Sequence, residues 1–233
     1  MRLSRIYKGP SVISLLWKLV AIVFASIGVY LQAKLDGGLF RTYVFLYFTI
    51  FSNMGIAIIS GLFVLLGVLE RATRRRFTPH WLLSLRFMFV TAMSVTLVVS
   101  LVLLAPFKSQ TYLFSLRNLS VHIFAPLAAV IDFLIFDKSF RCRIRTCFLG
   151  FVLPAIYLAV TLLISIKGIT YSNGSNFPYY FLDYHTLGWT TFEDGKMGVL
   201  WWVLLVAGIV FVISLLLTTI KVIINKIRNK RHP

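Results

Sequence analysis

The sequence predicts an all-α integral membrane protein: a single domain over residues 1–233 with six transmembrane helices and both termini in the cytoplasm. Three observations carry that expectation. The 233 residues are 59% hydrophobic with a mean hydropathy of +0.87, more apolar surface than a soluble domain of this length needs. Apolar runs long enough to cross roughly 30 Å of hydrocarbon recur along the whole chain. Lys and Arg collect in alternate connections, the asymmetry that orients membrane spans.

Spans are expected at 12–32, 43–67, 82–105, 113–136, 147–166 and 198–222. The first follows basic residues, as a signal peptide would. It is too long for one, lacks a small-residue cleavage site and precedes further spans, so it is expected to remain as a helix. Arg2, Arg5 and Lys8 precede it. The other basic clusters are Arg71 and Arg74–Arg76, then Lys138, Arg141, Arg143 and Arg145, then Lys221, Lys226, Arg228, Lys230 and Arg231. The alternate connections hold only Lys34 and Arg41, then Lys108, then Lys167 and Lys196. The net charge of +17 therefore reads as topology and as affinity for anionic membrane lipids, not for nucleic acid.

The connection from Pro106 to Tyr112 is short enough to make the third and fourth spans antiparallel neighbours. The last outer connection, SNGSNFPYYFLDYHTLGW, mixes turn formers with Phe177, Tyr179, Tyr180, Phe181, Tyr184 and Trp189. Such a segment suits the membrane interface, as a lid over the bundle or as an anchor. Cys142 and Cys147 flank a basic inner loop, where thiols stay reduced. No Cys/His cluster, GxGxxG, P-loop or HExxH is present, so neither a metal nor an organic cofactor is expected. The N-x-S/T matches are Asn118, which is too close to a span for modification, and Asn173.

The chemistry is expected near YFTIFSN, Tyr47 to Asn53. Thr49, Ser52 and Asn53 are spaced i, i+3, i+4 and share one helix face. A polar patch in a span faces the bundle interior, because an unsatisfied group in hydrocarbon is costly. In the fourth span Asn118 and His122 also share a face. Thr49 is expected about 9 Å, and His122 about 14 Å, below the outer starts of their spans. Thr96 and Ser100 could join them in an outward-opening cavity. A hydroxyl beside an imidazole is the minimum for acyl transfer, and Asn53 or Asn118 could donate to an oxyanion. Residue type alone does not choose Thr49 over Ser52 or Ser120. Asp183 or His185 could approach His122 from the outer loop, whereas Asp132 is about 15 Å away along the same helix. The bland reading is that the hydroxyls bond their own helix carbonyls and the histidine only packs. Arg86 and Asp132 fall level in the inner halves of neighbouring spans and are expected to form a structural ion pair.

YFTIFSN in the second span, NLSVHIFAPLAAVIDFLIF in the fourth and FPYYFLDY before the sixth, in that order, resemble the androgen-induced gene family. The resemblance is greatest to its bacterial six-span relatives and covers nearly the whole chain. Its specific content is those short motifs. The family includes the androgen-dependent regulator of tissue factor pathway inhibitor. Its animal members hydrolyse fatty acid esters of hydroxy fatty acids with an intramembrane Thr nucleophile and a His. By motif position these are similar to Thr49 and His122, and a bacterial plasma membrane is implied as the location. The expected function is thus a Thr/His-dependent hydrolase of lipid esters, with the ester entering from the outer leaflet. The rival is a non-enzymatic carrier or binding protein for a lipid or small amphiphile. A third reading is a structural subunit whose polar residues only glue helices.

The charge pattern generates a topology prediction. In a cysteine-free background, a cysteine replacing Asn173 should react with an impermeant reagent added outside, and one replacing Arg75 should not. The reverse pattern would overturn an outward-opening cavity.

Overall fold

The computed structural model describes residues 9–34, 40–137, 140, 142–171, 174–193 and 195–231. Arg2, Arg5, Lys8, Lys138, Arg141 and Asn173 lie outside the described residues, as does the side chain of Arg231. The fold is all-α. Six helices are long and apolar enough to cross a membrane: Val12–Ala33, Phe48–Thr73, His80–Phe107, Leu116–Ile135, Ile144–Ile166 and Val199–Arg228. They are called spans 1 to 6 below, and their ends inner and outer by the charge asymmetry. The protein is an integral membrane protein. The sheet among the described residues is one hairpin, β1 (Phe192–Glu193) with β2 (Lys196–Met197), in the last outer connection.

Span 3 is the central helix, packed against spans 2, 4, 5 and 6. Its Phe87, Val90, Ala92 and Met93 are fully buried. Spans 1, 2, 5 and 6 turn Leu, Ile and Val outward, as surfaces against hydrocarbon must. Span 1 lies along spans 2 and 4. At Gly28 a Cβ would come within 2.4 Å of the Val121 side chain, so that close approach of helices depends on glycine.

Three boundaries differ from expectation by more than three residues: the start of span 2, its end, which runs on to Thr73 and not 67, and the end of span 6. Span 2 starts at Phe48, not near residue 43, because Thr42–Leu46 is a 3-10 turn and Tyr47 is extended. Thr49 therefore stands in the first helical turn and not about 9 Å inside the helix. Span 6 continues past residue 222 to Arg228. There Lys221 reaches back to the Phe133 and Leu134 carbonyls at the inner end of span 4, the favourable place for a cation on a helix.

At the inner end the expected pair is part of a larger closed network. Arg86 donates from Nη2 to Asp132 and from Nε to Asp137. Lys18 of span 1 lies 2.9 Å from Asp132 Oδ1 and 3.1 Å from Asp137 Oδ1. Lys18 also donates to Ser14 Oγ at 3.1 Å, and Arg86 to Ser60 Oγ at 3.4 Å. The Phe63 ring lies 5.8 Å from Lys18 Nζ and 4.8 Å from the Arg86 guanidinium. Two cations thus meet two carboxylates with almost no exposure to solvent. Each carboxylate accepts from both cations, so neither is stranded. Nearby, Glu70 accepts from the Phe77 and Thr78 amides and turns the chain from span 2 into span 3.

Asp132→Ala should leave two buried cations to share Asp137. Removing one partner of a buried pair costs about 3–5 kcal/mol, somewhat less where the cation can reach the interface. Arg86→Leu with Asp132→Leu should recover much of that, since Lys18 and Asp137 still balance. Thermal unfolding in detergent decides: a double variant as unstable as the sum of the singles would mean that the two residues are not coupled.

Candidate functional site

The site is built where two helices depart from α geometry. Span 3 contains a π turn at Ser100–Leu104 and span 4 another at Ser120–Phe124. Each is followed within two residues by a proline, Pro106 or Pro126, which lacks an amide hydrogen and disturbs the preceding turn. In span 4 the Ala125 amide bonds to the Ser120 carbonyl, five residues back instead of four. The Val121 carbonyl loses its ordinary partner as a result, and Asn53 Nδ2 of span 2 donates to it at 3.0 Å. The same amide donates to the Thr49 carbonyl at 2.7 Å. Ser52 Oγ donates to that carbonyl at 3.0 Å and lies 3.1 Å from Thr96 Oγ1 of span 3.

The polar patch of span 2 therefore divides by role. Ser52 and Asn53 are fully buried and join spans 2, 3 and 4. Both amide hydrogens of Asn53 are committed, so it is not the oxyanion donor expected from sequence. Asn118 donates to the Leu113 carbonyl at 3.0 Å. The Thr49 side chain stands outside this knot, beside the Tyr179 phenol and at the edge of two cavities.

Two cavities meet at Thr49. An outer vestibule of about 530 Å³ is lined by Thr49, Ser100, Asn118, His122 and Tyr179, with several charged residues. A second cavity of about 240 Å³ runs between spans 2, 3, 5 and 6 and is walled by Val95, Val99, Phe151, Leu158, Trp202 and Val206, among others. Thr49, Ser100, Leu104 and Tyr179 line both. His122, in the π turn of span 4, is buried with no hydrogen-bond partner at Nδ1. Thr49 and His122 thus share the vestibule, but no hydrogen bond joins them as the sequence reading expects: the Thr49 hydroxyl meets Tyr179 and the imidazole meets the Thr96 main chain. Thr49 alone of the two also reaches the apolar cavity.

The wall between the cavities includes a residue that sequence reasoning did not single out. Tyr179 packs parallel to Phe181, with centroids 5.2 Å apart, and edge-on to Tyr47 at 5.9 Å. Its phenol lies against the Thr49 hydroxyl and the main chain of Thr49 and Phe48, at the start of span 2. Burial pushes this phenol up to about 12, and hydrogen bonding from Thr49 opposes that rise. The available signal was the aromatic run FPYYFLDY, which reads equally well as an interfacial anchor.

The other expected partners of His122 are engaged elsewhere. Asp183 caps the short helix Tyr184–Leu187, accepting from the His185 amide at 3.1 Å, the Thr186 amide at 3.2 Å and Thr186 Oγ1 at 2.8 Å. His185 is exposed and lies against Tyr184, with ring centroids 4.4 Å apart. Neither lines either cavity. The outer segment enters the bundle with Tyr179 and Phe181 and turns out again at Asp183, because the apolar rings are buried and the cap residue needs exposed amides. Among the described residues no carboxylate lines the vestibule, and no group of His, Cys, Asp and Glu could hold a metal ion.

Fold and site together define a six-span membrane protein with a threonine hydroxyl at the seam between a polar and an apolar chamber. No family model matches the chain, and neither a curated protein nor a solved structure matches it.

The buried phenols make alkaline stability a test of this arrangement. Tyr179 and Tyr171 are both pushed up to about 12 by burial, against about 10 when unfolded. Between those values the folded state holds protons that the unfolded state has lost, so this stabilisation is complete below about pH 10 and declines as pH rises towards 12. Tyr179→Phe should make the decline in unfolding temperature shallower and remove one late phenolate from the absorbance titration. Loss of an ordinary phenolate near pH 10, with the late phase kept whole, would place the Tyr179 hydroxyl in water.

Proposed function

We propose that this protein hydrolyses fatty acyl esters of lipids in the outer leaflet of a bacterial plasma membrane, with Thr49 as nucleophile and His122 as general base. The observation that carries the reading is the position of the Thr49 hydroxyl. It lies where an acyl chain in the apolar cavity would present its carbonyl to the chamber holding His122.

His122 takes the Thr49 proton as Oγ1 attacks the ester carbonyl. The first amides of span 2 have no intrahelical acceptor. They point at the Tyr179 oxygen, and an oxyanion that replaced it there would gain those donors at a helix N-terminus, which favours negative charge. The imidazolium returns its proton to the departing alcohol, leaving the acyl group on Thr49. Water, deprotonated by His122, then attacks the acyl-threonine, and the fatty acid leaves as the Thr49 hydroxyl re-forms. General base catalysis contributes about 10²–10⁴-fold in such sites, and each oxyanion donor a comparable factor. The same chambers would serve a carrier of amphiphiles. The specific observation favouring that second reading is that no carboxylate backs His122 among the described residues.

The experiment is labelling with an active-site-directed fluorophosphonate alongside ester hydrolysis. Thr49→Ala and His122→Ala should each abolish both, with expression and folding intact. Their double variant should be little worse than either single, because both serve one step. Thr49→Ser should keep activity. Labelling that survives in Thr49→Ala would remove Thr49 as nucleophile, and an unlabelled wild-type protein that still binds lipid would leave the carrier.

A further inference from the structure

The vestibule contains cations that ester hydrolysis does not use. Arg41, Lys108 and Arg117 all line it. The Tyr112 ring brings two of them together: Lys108 Nζ lies 5.9 Å and the Arg117 guanidinium 5.2 Å from its centroid. Tyr112 is held in turn by Gln32, which reaches its hydroxyl at 3.4 Å. Arg41 is fixed by its main chain, whose amide bonds to the Ala33 carbonyl at 2.8 Å. Its Nε is buried without a partner, as is Nδ1 of His122 in the same chamber.

Elsewhere the protein provides for its buried cations. Lys18 and Arg86 have two carboxylates between them, and Lys221 has two carbonyls. The three vestibule cations form no ion pair with any described carboxylate. Glu70, Asp132 and Asp137 serve the inner end, and Asp183 and Glu193 belong to the cap and hairpin of the last outer connection. Arg41 and Arg117 are half-buried and Lys108 is exposed, so solvent screens part of their mutual repulsion, and a bound anion relieves the rest. The chamber also holds two buried nitrogens, Arg41 Nε and His122 Nδ1, that no described residue satisfies, and buried polar groups are ordinarily paired.

The number and placement of the cations select the anion. One carboxylate carries a single charge on two oxygens, and one Arg fork satisfies it. A phosphate offers oxygens in several directions and can be shared by separate Arg and Lys donors. Thr49 lines the same chamber of about 530 Å³ as the cations, so anion and ester must lie close together. In a glycerophospholipid only the glycerol carbons separate phosphate from acyl ester. A charge at the far end of a second acyl chain would fall outside the chamber.

We propose that Arg41, Lys108 and Arg117 form a phosphate subsite, and that the ester presented to Thr49 belongs to an anionic glycerophospholipid or its lysolipid. The reaction half rests on the reading of Thr49 as nucleophile, whereas the binding half does not. One water cleaves the acyl C–O bond, giving a fatty acid in the apolar cavity and the deacylated glycerophosphate in the vestibule.

Binding is measured on purified Thr49→Ala protein in a non-ionic detergent, with 1-palmitoyl-lysophosphatidylglycerol, 1-palmitoylglycerol and palmitate as probes. The phosphate probe should bind at least about tenfold tighter than either other, roughly the worth of one charge-assisted hydrogen bond. The preference should shrink as salt rises. Adding Arg41→Gln, Lys108→Gln and Arg117→Gln should abolish it while binding of 1-palmitoylglycerol is kept. If that variant fails to fold, the salt series on Thr49→Ala decides alone. Equal binding of phosphate and neutral probes, a preference insensitive to salt, or palmitate binding as tightly as the phosphate probe would overturn the subsite. A phosphate preference in a protein that neither labels with fluorophosphonate nor deacylates the lysolipid would retain the subsite and remove the hydrolase. Hydrolysis of 1-palmitoylglycerol as fast as of the lysolipid would do the opposite.

Discussion

The structure depends first on the cost of leaving a polar group unpaired in hydrocarbon. Lys18, Arg86, Asp132 and Asp137 meet that constraint together, each cation touching both carboxylates. The network draws on spans 1 and 3 and on the inner end of span 4, and reaches span 2 through Ser60. Such a cluster has few alternative arrangements, since sliding any one helix would strand a charge. Its contribution is therefore to register as much as to stability, because desolvation offsets much of the Coulomb gain of buried pairs.

The same constraint, applied to backbone, shapes the outer half. A proline after each π turn disturbs the ladder, and in span 4 the Val121 carbonyl loses its intrahelical donor. Asn53 replaces that donor and in doing so draws span 2 against span 4. Gly28 lets span 1 approach the same turn. Polar residues on span 2 are thereby sorted by what they can reach. Two are consumed in holding helices together, and the third, Thr49, faces the cavities. Irregular helix geometry, often found at functional sites, here has an identifiable structural cause.

The last outer connection adds what the helices cannot. Phe177, Phe181 and Leu182 pack with Val199 in a small core of their own, which sets Tyr179 against the start of span 2. A phenol between a polar and an apolar chamber suits an amphiphile, whose two ends need different solvents on either side of one reacting bond. On the polar side, Arg41, Lys108 and Arg117 line the vestibule.

Length, hydropathy and charge are local properties, and they determined the class of fold, the number and order of the spans and the residues carrying polar groups into them. Thr49, His122, Arg86 and Asp132 could each be nominated from the sequence on those grounds. The start of span 2 could not be located, because a 3-10 turn and a helix share the same apolar composition. Lys18 and Asp137 lie 114 and 51 residues from a partner in the inner network, and their joining it depends on helix packing. Only tertiary structure decided that Ser52 and Asn53 are bonded into the knot between helices while Thr49 lines the cavities. Only tertiary structure, likewise, set Tyr179 against Thr49 and turned Asp183 and His185 outward. Each of those outcomes turns on side-chain distances between segments remote in the chain, which hydropathy and periodicity do not encode.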